Sequence, residues 1–106
     1  GNADGPFVYT GFKPAFVIIK NAAASEHWRM YDNKRDSFNL MYKCLFPNLN
    51  SNENTTNNGS EEIDFFSNGF KIRSSSGQLN GTNQSHIYMC FGQSIVGSNG
   101  VTAKAR

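Results

Sequence analysis

Short apolar runs separated by turn-forming residues recur along the whole chain. They cover residues 7–9, 16–20, 28–31, 38–46, 63–66, 69–73 and 86–91. Runs of this length, bounded by Gly, Pro, Asn and Asp, are typical of β-strands. The helix-like stretch at residues 22–26 is too short to stand alone and is expected to form a turn. The pattern predicts an all-β fold, a small antiparallel β-sandwich of jelly-roll type.

Alternation within the runs predicts which side chains face the core. In residues 28–31, Trp28 and Met30 are expected to point inward. Residues 86–91 are apolar on both faces, which predicts a strand at the centre of a sheet. In residues 38–46, one face of a single long strand is expected to carry Phe38, Leu40, Tyr42, Cys44 and Phe46.

The segment Ser67-Asn68-Gly69 lies between two apolar runs and predicts a hairpin. Asn-Gly is a strong hairpin signal because both residues tolerate a positive φ. In the second strand of this hairpin, Phe70 and Ile72 are expected inside, with Lys71 and Arg73 outside.

Three segments are too polar or too rich in small residues to form strands. Residues 50–60 are the most polar of the chain and predict a long exposed loop. Residues 74–85 predict a second flexible loop, and residues 92–106 predict an extended C-terminal tail, docked on a neighbouring chain.

Composition limits the chain to one domain, residues 1–106, with few but large apolar side chains, among them nine Phe. The formal net charge of +2 is spread along the sequence, whereas nucleic-acid binding requires clustered positive charge. No apolar stretch approaches the roughly 20 residues of a membrane helix. We therefore expect neither a nucleic-acid partner nor membrane insertion.

Residues that could perform chemistry are few. Cys44 and Cys90 lie in apolar runs without CxxC spacing, and free buried thiols are favoured over a disulfide. His27 and His86 have no nucleophile context. Residues 61–64 carry three carboxylates but lack the ligand spacing of a calcium loop. The sequence predicts no catalytic, cofactor-binding or metal-binding residues, and a protein that is not an enzyme.

A ligand surface, if present, is expected to use rings and amides. Aromatic rings stack on sugar faces, and Asn-rich loops supply hydrogen bonds, although each ring taken singly is more often part of a core. The candidate contacts to a receptor or glycan are Trp28, Tyr31, Arg73, Asn54 and Asn57.

Several segments together resemble a module at the ends of tail and fibre proteins of aquatic bacteriophages. The resemblance rests on the opening residues 1–20, a Trp-centred strand at residues 28–32, a Phe-x-Ser-Asn-Gly-Phe-Lys hairpin at residues 65–71 and an Ile-Tyr-x-x-Phe strand at residues 87–91. Where such modules commonly show Ala-Phe-Ala-Glu, this chain has Cys90-Phe91-Gly92-Gln93.

The resemblance implies a β-sandwich domain in the C-terminal part of a longer virion protein. It implies a homo-oligomer, with a trimer favoured, that contacts other virion proteins and contributes to assembly, to host-surface attachment, or to both. The alternative is a secreted carbohydrate-binding module appended to an enzyme.

Overall fold

The computed structural model describes residues 2–92, 95–96 and 102–103. In chain order the elements are β1 (Phe7–Tyr9), β2 (Pro14–Asn21), β3 (Arg29–Asp32), β4 (Ile63–Phe66), β5 (Gly69–Ile72), α1 (Gly77–Asn80), β6 (His86–Gly92), β7 (Ile95–Val96) and β8 (Thr102–Ala103). A first sheet has the strand order β1-β5-β4, and a second sheet has the order β3-β2-β6. All pairings in both sheets are antiparallel. The predicted small antiparallel β-sandwich is confirmed.

The core lies between the two sheets. A ring contact between Phe70 of the first sheet and Tyr88 of the second, 5.3 Å between centroids, joins them directly. Burying large side chains between two sheets supplies the main stabilisation of such a domain. The buried apolar residues are Val17, Ile19, Tyr31, Met41, Cys44, Ile63, Phe65, Phe70, Ile72 and Leu79.

The predicted hairpin is confirmed, but the reason for its glycine differs. Phe66 pairs with Gly69, so the two turn residues are Ser67 and Asn68, and neither has a positive φ. Gly69 is instead required by the neighbouring strand β1. A Cβ atom at this position would lie 2.1 Å from the carbonyl oxygen of Val8.

The predicted register of β3 is wrong. Arg29 and Tyr31 are buried between the sheets, whereas Trp28 and Met30 lie on the other side and are half-buried. A shift of one residue reverses every side chain of a strand, because the side-chain period is two. The core accepts the guanidinium because Glu61 lies beside it as an ionic partner.

Residues 38–46 do not form the predicted strand. Met41, Cys44 and Leu45 make only isolated bridges to other segments, and Phe38 is 84% exposed. In this segment, hydrogen bonds from side chains to the backbone take the place of the backbone hydrogen bonds of a continuous β-ladder. The carboxylate of Asp36 accepts hydrogen bonds from two backbone amides, and the amide of Asn39 bonds the backbone of the neighbouring strand β4.

The predicted central position of residues 86–91 is also wrong. Strand β2 is the centre of the second sheet, and β6 lies at its edge. Residues 16–19 are apolar on both faces as well, so the pattern did not distinguish the two strands.

The predicted loops are confirmed in part. Most residues between 50 and 60 are exposed. The second predicted loop instead contains the single helical turn α1, which Ser76 caps and whose Leu79 enters the core. The predicted extended tail falls largely on residues 93–94, 97–101 and 104–106, which lie outside the described residues. Within the described part of this tail, strand β7 pairs antiparallel with strand β8.

Both cysteines are free, as predicted. Burial raises the pKa of Cys44 to about 12 and that of Cys90 to about 11. Because the thiolate is the reactive form, both thiols are protected from alkylation.

We expect iodoacetamide at about pH 8 to label the native protein slowly. A pKa two units above the ordinary value lowers the thiolate fraction of Cys90 about 100-fold. A time course by mass spectrometry, with urea-unfolded protein as the reference, measures the two rates. Equal labelling rates for native and unfolded protein would contradict this burial.

Candidate interaction surface

The side of the second sheet that faces away from the first is lined by apolar residues. Strand pairing places Ile18 of β2 between Met30 of β3 and Met89 of β6. Farther along the strands Phe16 pairs with Phe91, and their ring centroids are 5.8 Å apart. We call this surface the apolar face. It comprises Phe16, Ile18, Met30, Ile87, Met89 and Phe91.

Strand β6 carries the most exposed part of the apolar face. Ile87 is 51% exposed, Met89 58% and Phe91 52%. Side chains at alternate positions of a strand project from the same side, so these three form a continuous row. Large contiguous patches of exposed apolar surface are typical of interaction sites.

An open cleft of about 500 Å³ lies at one end of the apolar face. The side chain of Asn48 positions Trp28 there, because its oxygen accepts a hydrogen bond from the Trp28 backbone amide at 3.1 Å. The amide nitrogen of Asn48 lies 3.0 Å from Nδ1 of His27, so both ends of this side chain are occupied. The cleft lining is almost entirely apolar. It consists of Ile18, Trp28, Pro47, Asn48, Ile87, Tyr88 and Met89.

The edge of the second sheet has few features that discourage strand pairing. Soluble proteins commonly place proline or charged residues on exposed edges. Residues 87–92, Ile-Tyr-Met-Cys-Phe-Gly, contain neither. The face and the edge of β6 are therefore both suited to contact with another polypeptide.

The structure separates the two aromatic residues predicted to contact a ligand. Trp28 lines the cleft at the apolar face. Tyr31 is fully buried between the sheets, and burial raises the pKa of its phenol well above the ordinary value. The Tyr31 ring has no surface to offer a receptor, so it is removed from the candidate contacts.

The three polar candidates lie away from the cleft lining. Arg73 follows β5 of the first sheet and lies 3.6 Å from carboxylate oxygens of both Asp4 and Asp64. The side-chain amide of Asn54 donates to the carbonyl oxygens of Tyr42 and Thr56. Asn57 is exposed in the polar loop. The five predicted residues therefore do not form one site.

The exposed residues Ile87, Met89 and Phe91 of β6 were not predicted as contacts. Their signal was present in the sequence as a strand that is apolar on both faces. That pattern fits two alternatives equally well: a strand at the centre of a sheet, or an edge strand that carries an interaction surface. Only the order of the strands in the sheet distinguishes the two.

A buried ion pair lies on the opposite, inner side of the second sheet. The Arg29 guanidinium contacts both carboxylate oxygens of Glu61, donates to the carbonyl oxygen of His27 at 2.8 Å and also bonds Gln78. Its central carbon lies 5.4 Å from the centroid of the Phe46 ring. Burial raises the pKa of Glu61, while the hydrogen bonds and charge of Arg29 act to lower it.

The acidic residues 61–64 are divided among separate partners. Glu62 accepts from the backbone amides of Gly59 and Glu61, while Asp64 faces Arg73. Among the described residues, no group of three His, Cys, Asp or Glu side chains could hold a metal ion.

Residues 1–94 match a family described as a domain of unknown function, DUF7483. The chain belongs to this family. No curated protein and no solved structure matches the chain. The matched residues contain β1 to β6, so the DUF7483 domain includes both sheets and the whole apolar face. Across residues 2–92, 95–96 and 102–103, no helix is long and apolar enough to cross a membrane.

Proposed function

We propose that this DUF7483 domain is a structural module of a bacteriophage tail or fibre, located in the virion. It contributes to particle assembly, to host-surface attachment, or to both, as a homo-oligomer in which a trimer is favoured. The observation that carries the proposal is the apolar face, because a row of half-exposed Ile, Met and Phe side chains is suited to a partner.

The segments that resemble phage modules occupy different places in the fold. The hairpin at residues 65–71 supplies the core residues Phe65 and Phe70. The Ile-Tyr-x-x-Phe strand instead supplies the exposed residues Ile87 and Phe91, and the Trp-centred strand supplies Trp28 in the cleft. The segments that carry the resemblance therefore include exposed residues as well as core residues. This supports the proposal that the domain assembles with other copies or with other virion proteins.

Assembly and attachment are tested separately. Native mass spectrometry of the isolated domain tests assembly, and a trimer is the expected species. A monomer at every concentration would contradict the assembly role. Adsorption of fluorescently labelled domain to whole bacterial cells tests attachment, and absence of adsorption to the phage's own host would remove that role.

A carbohydrate-binding module is the second candidate, because Trp28 and Tyr88 line the cleft together. Titration calorimetry with soluble polysaccharides tests it. Saturable binding that is lost in Trp28→Ala and kept in Phe38→Ala would favour this function. The nearly apolar lining argues against it, because sugar hydroxyls need hydrogen-bond partners.

A further inference from the structure

We propose that Asn58 is a self-modification site, at which the backbone nitrogen of Gly59 displaces the side-chain amide of Asn58 to form a succinimide, with Glu62 as the base. Water then opens the succinimide to aspartate or isoaspartate, and ammonia is the other product. This inference goes beyond the proposed function and does not depend on it, because every protein group that it uses lies within this chain.

Asn-Gly is the sequence at which this reaction is least hindered. Glycine has no side chain to crowd its own nitrogen, so the side chain of a preceding asparagine approaches that nitrogen easily. The chain contains Asn-Gly at residues 58–59, 68–69, 80–81 and 99–100. The last of these lies outside the described residues. The surroundings of the other three distinguish Asn58 from Asn68 and Asn80.

The Gly59 nitrogen, which is the nucleophile, lies against a buried carboxylate. Its N–H donates to Oε1 of Glu62 at 2.6 Å, which is within the reach that proton transfer to a general base requires. Glu62 is 1% exposed, and its other oxygen accepts from the Glu61 backbone amide at 3.0 Å. A third group therefore orients the base, as it does for other activated nucleophiles.

The Asn58 side chain, which is the electrophile, is polarised by a backbone amide. The Ser60 N–H donates to Oδ1 of Asn58 at 3.0 Å. Negative charge develops on this oxygen when the amide carbon is attacked, and an N–H donor at this distance stabilises that charge. The loop therefore places a base on the nucleophile and a donor on the carbonyl group that the nucleophile attacks.

The loop that carries Asn58 is fixed on its inner side and open to water on its outer side. Oγ of the buried Ser74 lies 2.9 Å from the carbonyl oxygen of Gly59 and 2.8 Å from that of Ser60. Gly59 has a φ of 84°, which glycine adopts at little cost. Asn58 and Gly59 are exposed, so water can reach the succinimide.

The reaction needs water as its only co-reactant. Glu62 takes the proton of the Gly59 nitrogen, whose electron pair forms a bond to Cγ of Asn58. The bond from Cγ to Nδ2 then breaks, and Nδ2 leaves as ammonia with the proton that Glu62 returns. Water next adds to one ring carbonyl carbon and breaks its bond to the Gly59 nitrogen. Attack on the side-chain carbonyl gives aspartate, and attack on the main-chain carbonyl gives isoaspartate. Either product lowers the formal net charge by one from +2.

The other two described Asn-Gly steps are held in ways that oppose the reaction. Gly69 is buried and pairs with Phe66 across the hairpin, so its backbone is fixed in the first sheet. At residues 80–81 the leaving group is held instead, because Nδ2 of Asn80 donates to the carbonyl oxygens of Asn2 and Ser74. Asn68 and Asn80 are therefore internal references for Asn58.

Incubation of the native protein at mildly alkaline pH tests the inference, with incubation in guanidinium chloride as the unfolded reference. Tandem mass spectrometry of proteolytic peptides measures the formation of aspartate and isoaspartate at each asparagine. In the native protein Asn58 should react about 100-fold faster than in the unfolded chain, the lower end of what a general base contributes. Asn68 and Asn80 should react more slowly in the native protein than in the unfolded chain. A native rate at Asn58 no greater than the unfolded rate overturns the inference.

Substitution Glu62→Gln tests the assignment of the base. Glutamine keeps the size of the side chain and an acceptor oxygen but cannot take the proton, so the 100-fold acceleration at Asn58 should be lost. Glu53→Gln is the matched control, because Glu53 lies in the same loop but pairs with Arg35. Circular dichroism verifies the fold of both variants. Equal native rates at Asn58 in the two folded variants overturn the inference. If Glu62→Gln does not fold, the comparison of native with unfolded wild type decides it.

Discussion

Replacement of Arg29 by alanine is expected to lower the free energy of unfolding by about 3–5 kcal/mol. Arg29 is 1% exposed and Glu61 6%, so the substitution leaves a carboxylate buried without its cation. It also leaves the Gln78 side chain and the His27 carbonyl without a donor. Urea unfolding followed by circular dichroism measures the loss.

The loss should depend on pH in a defined direction. Burial holds the pKa of Glu61 above 4.5 in the folded chain, so the folded state binds this proton more tightly than the unfolded state. Its contribution to stability therefore falls as pH rises from 4.5 through the folded pKa. Removal of Arg29 raises that pKa further, so the cost of Arg29→Ala should shrink in acid, where protonation neutralises Glu61.

Two variants control this experiment. Arg35 pairs with Asp32 and Glu53 at about one-third exposure, so Arg35→Ala should cost less than about 1 kcal/mol. Arg29→Met with Glu61→Leu removes both charges and should recover much of the stability. A cost for Arg29→Ala no larger than that of Arg35→Ala would show that the buried pair is unimportant.

Substitution Gly69→Ala should destabilise the domain by about 3 kcal/mol, the upper part of the range for overpacking. The added Cβ would lie 2.1 Å from the Val8 carbonyl oxygen and 2.8 Å from the Phe7 ring. The obstruction is backbone, so β1 must move away from β5 and lose its pairing. Urea unfolding measures the cost, and amide exchange should show reduced protection in β1.

Gly77→Ala is the matched control for Gly69→Ala. Nothing lies within 4 Å of a Cβ at Gly77, which begins the turn α1 and has no positive φ. Alanine there should be neutral or stabilise by about 0.4–1 kcal/mol. Equal destabilisation by the two substitutions would contradict the contact between β1 and β5 as the cause.

The candidate site was predictable in part. The continuous apolar run at residues 86–91 identified a strand that is apolar on both faces, and Trp28 was named as a contact. The remaining candidates were not brought together, because side-chain type does not report location. Trp28 and Tyr31 are three positions apart, and side chains an odd number of positions apart in extended chain project on opposite sides. Tyr31 therefore lies in the core and Trp28 at the cleft.

Residues 38–46 show why a local pattern can fail over a longer stretch. Period-two alternation predicted a strand, yet Asp36 and Asn39 bond the backbone there and replace a ladder. These contacts join residues that are 6 and 26 positions apart in the chain. The alternation of apolar and polar residues depends only on neighbouring positions. It therefore does not show that side chains elsewhere compete with a β-ladder for the hydrogen bonds of the backbone.

The sequence by itself determined the all-β class, the hairpin at residues 65–71 and the orientation of Phe70 and Ile72. Each depends on local chemistry, namely the period of the apolar residues and the identity of the turn residues. The tertiary structure alone decided that β6 is an edge strand, that Arg29 is buried against Glu61 and that Gly69 contacts β1. Those outcomes depend on which distant segments meet, because strand order and charge pairing are set by long-range packing.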